Sequence, residues 1–156
     1  MNRRNVIVLG VAAVAAWHVP AVVRAAKAPR VVVHKSESCG CCKVWVSHLA
    51  KAGFEVQVVN SDNLNSVKER VGIPYALGSC HTAEVEGYFV EGHVPVADIQ
   101  RLLRERPDAK GLTVPGMPIG SPGMEVPSGQ VDPYDVLLVA KDGSTTVFAH
   151  HGPAAK

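Results

Sequence analysis

The sequence predicts a mixed α/β domain with the element order β-α-β-α-β-β-α, followed by a Gly/Pro/Met loop and a C-terminal β-hairpin. Three observations predict this class. Short β-branched or alternating runs are separated by segments with apolar residues at helical spacing. Glycine and proline mark the ends of these segments, and two strand-like runs follow each other without a helix between them.

The first strand and helix come from residues 30–53. The run "RVVVHKS" at 30–36 is short and β-branched, which predicts a buried strand. The segment "CCKVWVSHLAKAG" then places Trp45 and Leu49 at helical spacing. Gly53 supplies the C-terminal stop of this helix.

A second strand and helix follow directly. "FEVQVVN" at 54–60 alternates apolar and polar residues, which predicts a strand. "LNSVKERVG" predicts a helix with Asp62 or Asn63 as its N-cap and Gly72 as its stop.

The next segments predict a hairpin and a third helix. "HTAEVEGYFVEG" contains two strand-like runs around Glu86 and Gly87. Pro95 opens a helix that Pro107 ends. Its apolar stripe consists of Val96, Ile99, Leu102 and Leu103.

The remaining chain is divided between a loop and a second hairpin. Residues 111–133, "GLTVPGMPIGSPGMEVPSGQVDP", are rich in glycine and proline and predict an ordered loop or lid. Pro-Gly-Met occurs in it twice, at 115–117 and 122–124. The C-terminal segment predicts a hairpin that turns at Asp142 and Gly143.

The N-terminal segment has the order of a secretory signal peptide. Arg3 and Arg4 precede an apolar run at 6–17, and V-x-A at 23–25 and A-x-A at 26–28 follow. That run is too short to span a bilayer, which disfavours an uncleaved membrane anchor. The arginine pair weakly resembles a twin-arginine signal. We expect a signal peptide at 1–25, cleaved near 25–28, and a mature domain at 30–151.

The charge balance of the mature chain excludes one class of partner. Removal of residues 1–25 leaves thirteen basic and fourteen acidic residues, hence a net charge of about −1. The sequence has no basic patch with interleaved aromatic residues, so nucleic acid is not an expected partner. About 130 mature residues fit one domain with a modest core.

Three cysteines occupy four positions in "SESCGCCKVW" at 36–45. Cys39 and Cys42 have C-x-x-C spacing and lie where the first strand leads into the first helix. A C-x-x-C pair at this point of this element order is the plan of thioredoxin-like domains. Free backbone N–H groups and the helix dipole favour a thiolate there, and a thiolate serves both redox chemistry and metal binding.

The third cysteine, Cys41, favours metal binding. On a helix, Cys41 and Cys42 point about 100° apart, so they cannot both converge with Cys39 on one ion. They can instead bridge several ions, and a thiolate is a soft ligand that selects Cu(I) or zinc. In a dithiol exchanger, an extra thiol could attack the neighbouring disulfide. Structural disulfides are the third alternative, after metal binding and thiol–disulfide exchange.

One more thiol and two imidazoles are expected near this triplet. Cys80 precedes the third strand, and in a thioredoxin-like fold the loop entering that strand faces the C-x-x-C pair. His81 is a candidate ligand, with a solvated loop histidine as the equal alternative. His93, just before the third helix, is a weaker candidate whose alternative is a hydrogen-bonding loop residue. His34, in the buried strand, is expected to be structural.

Two loop methionines are further soft donors. A thioether suits Cu(I) and is a poor ligand for zinc. Methionine usually fills gaps in a core, but a loop of glycine and proline has little core to fill. We therefore expect Met117 to lie near the thiols, and Met124 is an additional candidate.

Three segments together carry a resemblance to a known family: "SCGCCKVW", "SCHTAEVEGYFVEGHVPVADIQRLL" and "GLTVPGMPIGSPGME". They closely resemble the CopG-type periplasmic copper-resistance proteins, a C-x-C-C family with a thioredoxin-like fold, over most of residues 30–140. The resemblance implies several Cu(I) ions in a cysteine-bridged cluster and a redox role in copper detoxification. It implies that the cluster thiolates are Cys39, Cys41, Cys42 and Cys80, and it places in family motifs Met117, Met124, His81 and His93.

Three functions therefore compete. The first is a periplasmic copper(I)-binding protein of copper resistance, with copper ions and other copper-handling proteins as partners and no membrane contact after signal cleavage. The second is a thiol–disulfide oxidoreductase, an enzyme with Cys39 as nucleophile and Cys42 as resolving thiol. It leaves Cys41 and the methionines unexplained. The third is a zinc-stabilised module, which a triplet plus one cysteine disfavours because such modules use two separated ligand pairs.

Overall fold

Seven strands and three α-helices make up the part of the chain that the structure describes. The computed structural model describes residues 28–153, so the predicted signal peptide at 1–25 lies outside the described residues. The helices are α1 (Gly40–Lys51), α2 (Leu64–Val71) and α3 (Val96–Glu105). The strands are β1 (Arg30–Lys35), β2 (Glu55–Asn60), β3 (His81–Val85), β4 (Tyr88–Glu91), β5 (Ala109–Thr113), β6 (Tyr134–Ala140) and β7 (Thr145–His151).

All seven strands form one mixed sheet in the order β2-β1-β3-β4-β5-β6-β7. The β1–β2 and β4–β5 pairs are parallel, and the other neighbours are antiparallel. Within residues 28–153, none of the helices has both the length and the apolar character needed to cross a bilayer.

The two faces of the sheet bury separate apolar clusters. The larger cluster packs α1 and α3 against the sheet and includes Trp45, Leu102 and Val90. The smaller cluster contains Phe89 and Ile73. Successive side chains of a strand point to opposite faces, so Phe89 and Val90 place the two clusters on opposite sides of β4.

The predicted order of the first seven elements is confirmed, as are its main boundaries. Asn63 is the N-cap of α2, and its side chain accepts a hydrogen bond from the Ser66 N–H. The β3–β4 hairpin turns at Glu86 and Gly87. The C-terminal hairpin of β6 and β7 is also present.

The prediction that residues 111–133 form a loop throughout is wrong at its start. Strand β5 extends to Thr113 and pairs with both β4 and β6. Five residues with a central glycine show little alternation, and the partners that bury them are distant in the sequence. Residues 114–133 contain no helix or strand.

One edge of the sheet collects the segments that carry the cysteines. β1 ends at Lys35, which lies opposite His81 at the start of the antiparallel β3. The end of β4 lies beside the start of β3, and the end of β5 lies beside the end of β4. The N-terminus of α1, the Cys80 segment, His93 and the loop after β5 therefore converge at this edge.

Candidate metal centre

The cysteine triplet surrounds the N-terminus of α1. Cys39 is the N-cap residue, and its N–H donates to the Ser36 carbonyl in the turn after β1. Cys41 and Cys42 lie in the first helical turn, where backbone N–H groups have no partner within the helix. The Cys42 side chain is buried, whereas Cys39 and Cys41 are half-buried. Thiolates at this position are stabilised by the helix dipole.

The structure brings all four cysteines together. The Cys80 sulfur lies 3.6 Å from that of Cys42 and 4.0 Å from that of Cys41. The Cys41 sulfur lies 3.5 Å from that of Cys39. The four sulfur atoms are all within 4.8 Å of one another, a spacing that a small metal centre could span.

A disulfide joins Cys39 and Cys42, whereas Cys41 and Cys80 are free thiols. The pair is the C-x-x-C pair of the sequence, and its Cα atoms are 5.4 Å apart. Only a reduced cysteine supplies a thiolate ligand. The full set of four sulfur donors is therefore available to a metal only after this disulfide is reduced.

Two imidazoles complete a second donor group around Cys80. The Cys80 sulfur lies 3.3 Å from Nδ1 of His81 and 3.1 Å from Nε2 of His93. These three donor atoms also lie within 4.8 Å of one another. Both histidines are buried, so the alternative of a solvated loop histidine is wrong for His81.

The orientation of His93 is set by the loop after β5. Its Nδ1 lies 2.8 Å from the Pro122 carbonyl oxygen, an acceptor, so Nδ1 carries the proton. Nε2 of His93 therefore presents a lone pair toward Cys80. Nε2 of His81 is buried without a hydrogen-bonding partner among the described residues.

Burial keeps these groups neutral. Burial raises the pKa of the Cys80 thiol to about 11, and the neighbouring Cys41 adds to this effect. Burial lowers the pKa of His81 to about 3, with further contributions from His93 and Lys68. The pKa of His93 is also lowered by burial. Neutral imidazole is the form that binds metals. The Cys80 thiol, in contrast, must release its proton when a metal binds to its sulfur.

Trp45 provides an apolar contact beneath the histidines of the centre. Its ring lies 4.4 Å from the His81 ring, and its indole N–H donates to the Val94 carbonyl at 2.9 Å. The His81 and His93 rings meet edge to face at 5.0 Å. Sequence analysis identified Trp45 only as a helix-face residue, because the partner ring is 36 positions away in the chain.

Residues 117–126, which we name the covering loop, pack against the start of α1. A Cβ atom added to Gly123 would lie 2.7 Å from the Cys41 carbonyl oxygen and 3.0 Å from the backbone nitrogen of Trp45. The neighbouring Glu125 carboxylate lies 2.9 Å from Nε2 of His48 on α1. The contacts of Pro122, Gly123 and Glu125 were not predicted, although the glycine in a Pro-Gly-Met repeat was a signal for them.

Each methionine follows a glycine that contacts another segment of the centre. Met117 follows Gly116, whose N–H donates to the Gly78 carbonyl and whose carbonyl accepts from the Ser79 hydroxyl. Met117 is 51% exposed, and Met124 is half-buried. Among the described residues, neither methionine sulfur lies within hydrogen-bonding distance of a cysteine sulfur.

Three further histidines among the described residues form pairs outside the centre. His34 on β1 pairs with Glu84 on β3 at 3.0 Å, which agrees with its predicted structural role. His150 pairs with Asp135, and His151 with Asp98, each at 2.6 Å. These two pairs attach β7 to β6 and to α3.

Comparisons with known proteins found one matching family description and two similar solved structures. A family described as "Protein of unknown function, DUF411" matches residues 77–124. Two solved structures named copper resistance protein CopG are similar, each covering 80% of this chain. Form 2 has 46% identity and a TM-score of 0.76, with 99% of its own chain covered. Form 1 has 47% identity and a TM-score of 0.75, with 98% covered. The comparison with curated proteins found no match.

Proposed function

We propose, on the premise that this chain belongs to the CopG family of copper resistance proteins, that it binds copper(I) and acts in copper resistance. The observation that carries the proposal is the group of four cysteine sulfurs within 4.8 Å of one another. Thiolates select soft ions such as Cu(I). The proposed ligands are Cys39, Cys41, Cys42 and Cys80.

The centre is proposed to hold more than one copper ion. Cys41 and Cys42 are successive helical residues, whose side chains diverge by about 100°. Thiolates on diverging side chains can share several ions by bridging, although the spacing of the four sulfurs, all within 4.8 Å of one another, also allows a single ion. His81 and His93 are proposed as nitrogen ligands on the Cys80 side, since both are buried and face its sulfur. Met117 and Met124 are proposed as neutral sulfur donors from the covering loop.

We further propose a periplasmic location and a thioredoxin-like domain. The order of charged, apolar and small residues at 1–28 supports export and cleavage of a signal peptide near 25–28. The β2-β1-β3-β4 part of the sheet, with the cysteines between β1 and α1, supports the thioredoxin-like assignment for residues 30–151. Other periplasmic copper-handling proteins are the proposed partners.

Thiol–disulfide exchange is the second candidate function. The disulfide between Cys39 and Cys42 supports it, because it joins the two cysteines of a C-x-x-C pair. This candidate gives no role to Cys41 or to the imidazoles that face Cys80. Copper binding uses all of these groups, so we place it first.

Metal analysis of the reduced, mature protein tests the proposal. We expect more than one Cu(I) per chain and little displacement of copper by zinc, since a thiolate-rich centre prefers the softer ion. The measurement is metal content after anaerobic loading and competition against zinc. A single ion per chain, or a preference for zinc, would contradict a multinuclear copper centre.

Substitution of Met117 tests the covering loop. Met117→Ala should weaken Cu(I) binding modestly and speed air oxidation of the bound copper, because it removes both a donor and an apolar cover. Met117→Leu keeps the cover and loses only the sulfur. The measurement is the rate of copper(I) oxidation in both variants and the parent. Identical rates in all three would remove Met117 from the proposed ligands.

A further inference from the structure

A buried carboxylate is attached to the residue that precedes Cys80. Glu91, the last residue of β4, has no solvent exposure. One of its oxygens accepts from the Lys68 ammonium and from the Ser79 N–H. The other accepts from the Thr82 hydroxyl at 2.7 Å, and Lys68 also donates to that hydroxyl at 3.0 Å. The network thus joins α2, β3 and β4 to the segment that carries Cys80.

A buried ion pair of this kind requires an explanation other than stability. Removing two charges from water is costly, and apolar side chains of similar volume often stabilise a fold at least as well. The Glu91 carboxylate uses both oxygens, and its partners come from three separate segments. Such a fully bonded group fixes local geometry more strictly than apolar packing does.

Ser79 is held from three sides. Its N–H donates to Glu91, and its hydroxyl donates to the Gly116 carbonyl. On the third side, a Cβ atom added to Gly92 would lie 2.6 Å from the Ser79 hydroxyl, so only glycine permits this approach. The residue after Ser79 is Cys80, whose sulfur position therefore depends on these contacts.

We infer that Glu91, with Lys68 as its counter-ion, is a positioning residue for Cys80. The hydrogen bond from the Ser79 N–H to the Glu91 carboxylate holds the Cys80 sulfur 3.6 Å from that of Cys42. This inference rests on the proposed function only for the role of Cys80 as a copper ligand. The effect of Glu91 on the position of the Cys80 sulfur applies to the metal-free protein as well.

The test measures the position of Cys80 without metal. In a Cys39→Ser/Cys41→Ser background, Cys42 and Cys80 are the two remaining cysteines. The equilibrium between the Cys42–Cys80 disulfide and glutathione then gives the effective concentration of one thiol at the other. The informative pair of variants is K68M/E91L and K68M/E91Q. Both lack the ion pair, but only the glutamine keeps an oxygen that can accept from the Ser79 N–H.

We expect the effective concentration to fall about tenfold or more in K68M/E91L, because small displacements of reacting groups lower it steeply. K68M/E91Q should restore a value near that of the parent. The matched control is R70M/E84Q, which removes another ion pair between α2 and β3 and should have no effect. An unchanged value in K68M/E91L would overturn the inference.

A second variant covers the case in which K68M/E91L does not fold. Ser79→Ala, which removes the hydroxyl alone, is the control for Ser79→Pro, which removes both the hydroxyl and the N–H donor. The extended Gly78 before this position (ψ 152°) accommodates the proline. The same fall is expected there, and an unchanged value would again overturn the inference. Cu(I) affinity of K68M/E91L with all four cysteines present is measured in parallel. A reduced effective concentration beside an unchanged Cu(I) affinity would leave Glu91 as a positioning residue and remove Cys80 from the proposed ligands.

Discussion

Cys41→Ser should abolish most copper binding and leave the Cys39–Cys42 disulfide able to form. Cys41 is a free thiol outside that disulfide, and its sulfur lies between those of Cys39 and Cys80, at 3.5 and 4.0 Å. A bridging thiolate in this place would contact more than one ion. We expect Cu(I) affinity to fall by more than about a hundredfold, since even an outer partner of a metal ligand contributes roughly 10–100-fold.

The measurement is Cu(I) affinity against a competing chelator, together with a thiol count of the oxidised protein. Ser38→Ala is the control in the same turn, because its hydroxyl contacts only that of Ser36 in the described structure. It should bind copper like the parent. Parent-like copper binding in Cys41→Ser, with loss of insulin reduction in Cys39→Ser, would instead favour the oxidoreductase.

Gly123→Ala should displace the covering loop and weaken copper binding. The new methyl group would lie 2.7 Å from the Cys41 carbonyl oxygen and 3.3 Å from Nδ1 of His93. Neither a helical carbonyl nor a buried ring can move far, so the loop must move instead. The Pro122 carbonyl would then lose its hydrogen bond with His93. We expect a fall in Cu(I) affinity of roughly 10–100-fold, the usual effect of losing such a partner.

Gly116→Ala is the matched control for this substitution. Both glycines follow a proline and precede a methionine, and their φ angles are similar, +70° at Gly116 and +90° at Gly123. Backbone strain of about 1–2 kcal/mol is therefore common to both variants. A Cβ atom at Gly116 meets nothing within 4 Å. Thermal unfolding measures the common strain, and equal Cu(I) affinity in the two variants would show that the covering loop does not support the centre.

Local patterns were sufficient to predict most elements of the fold. Asn63 caps α2 through its own side chain, and the turn at Glu86 and Gly87 lies between two short apolar runs. Such signals are contained within a few neighbouring residues. Strand β5 was missed because its evidence lies in its partners, β4 and β6, and not in its five residues.

The centre shows the same division. Spacing and element order predicted that Cys80 would meet the triplet, because they fix which ends of the strands lie together. They did not predict the burial of His81 or its contact with Trp45, since burial depends on how distant segments pack. The contact of Gly123 with Cys41 joins residues 82 positions apart. No local pattern records a contact of that separation.

The tilted contact between the Trp45 and His81 rings also gives the molecule an intrinsic optical reporter. The sequence has two tryptophans, and the other, Trp17, belongs to the predicted signal peptide. In a chain without the predicted signal peptide, fluorescence excited at the long-wavelength edge of indole absorption therefore comes from one ring, buried 4.4 Å from an imidazole of the centre. Its emission reports the environment of that imidazole directly. We expect metal occupancy and thiol oxidation to change this emission, so both could be followed in real time without a dye that would compete for the thiols.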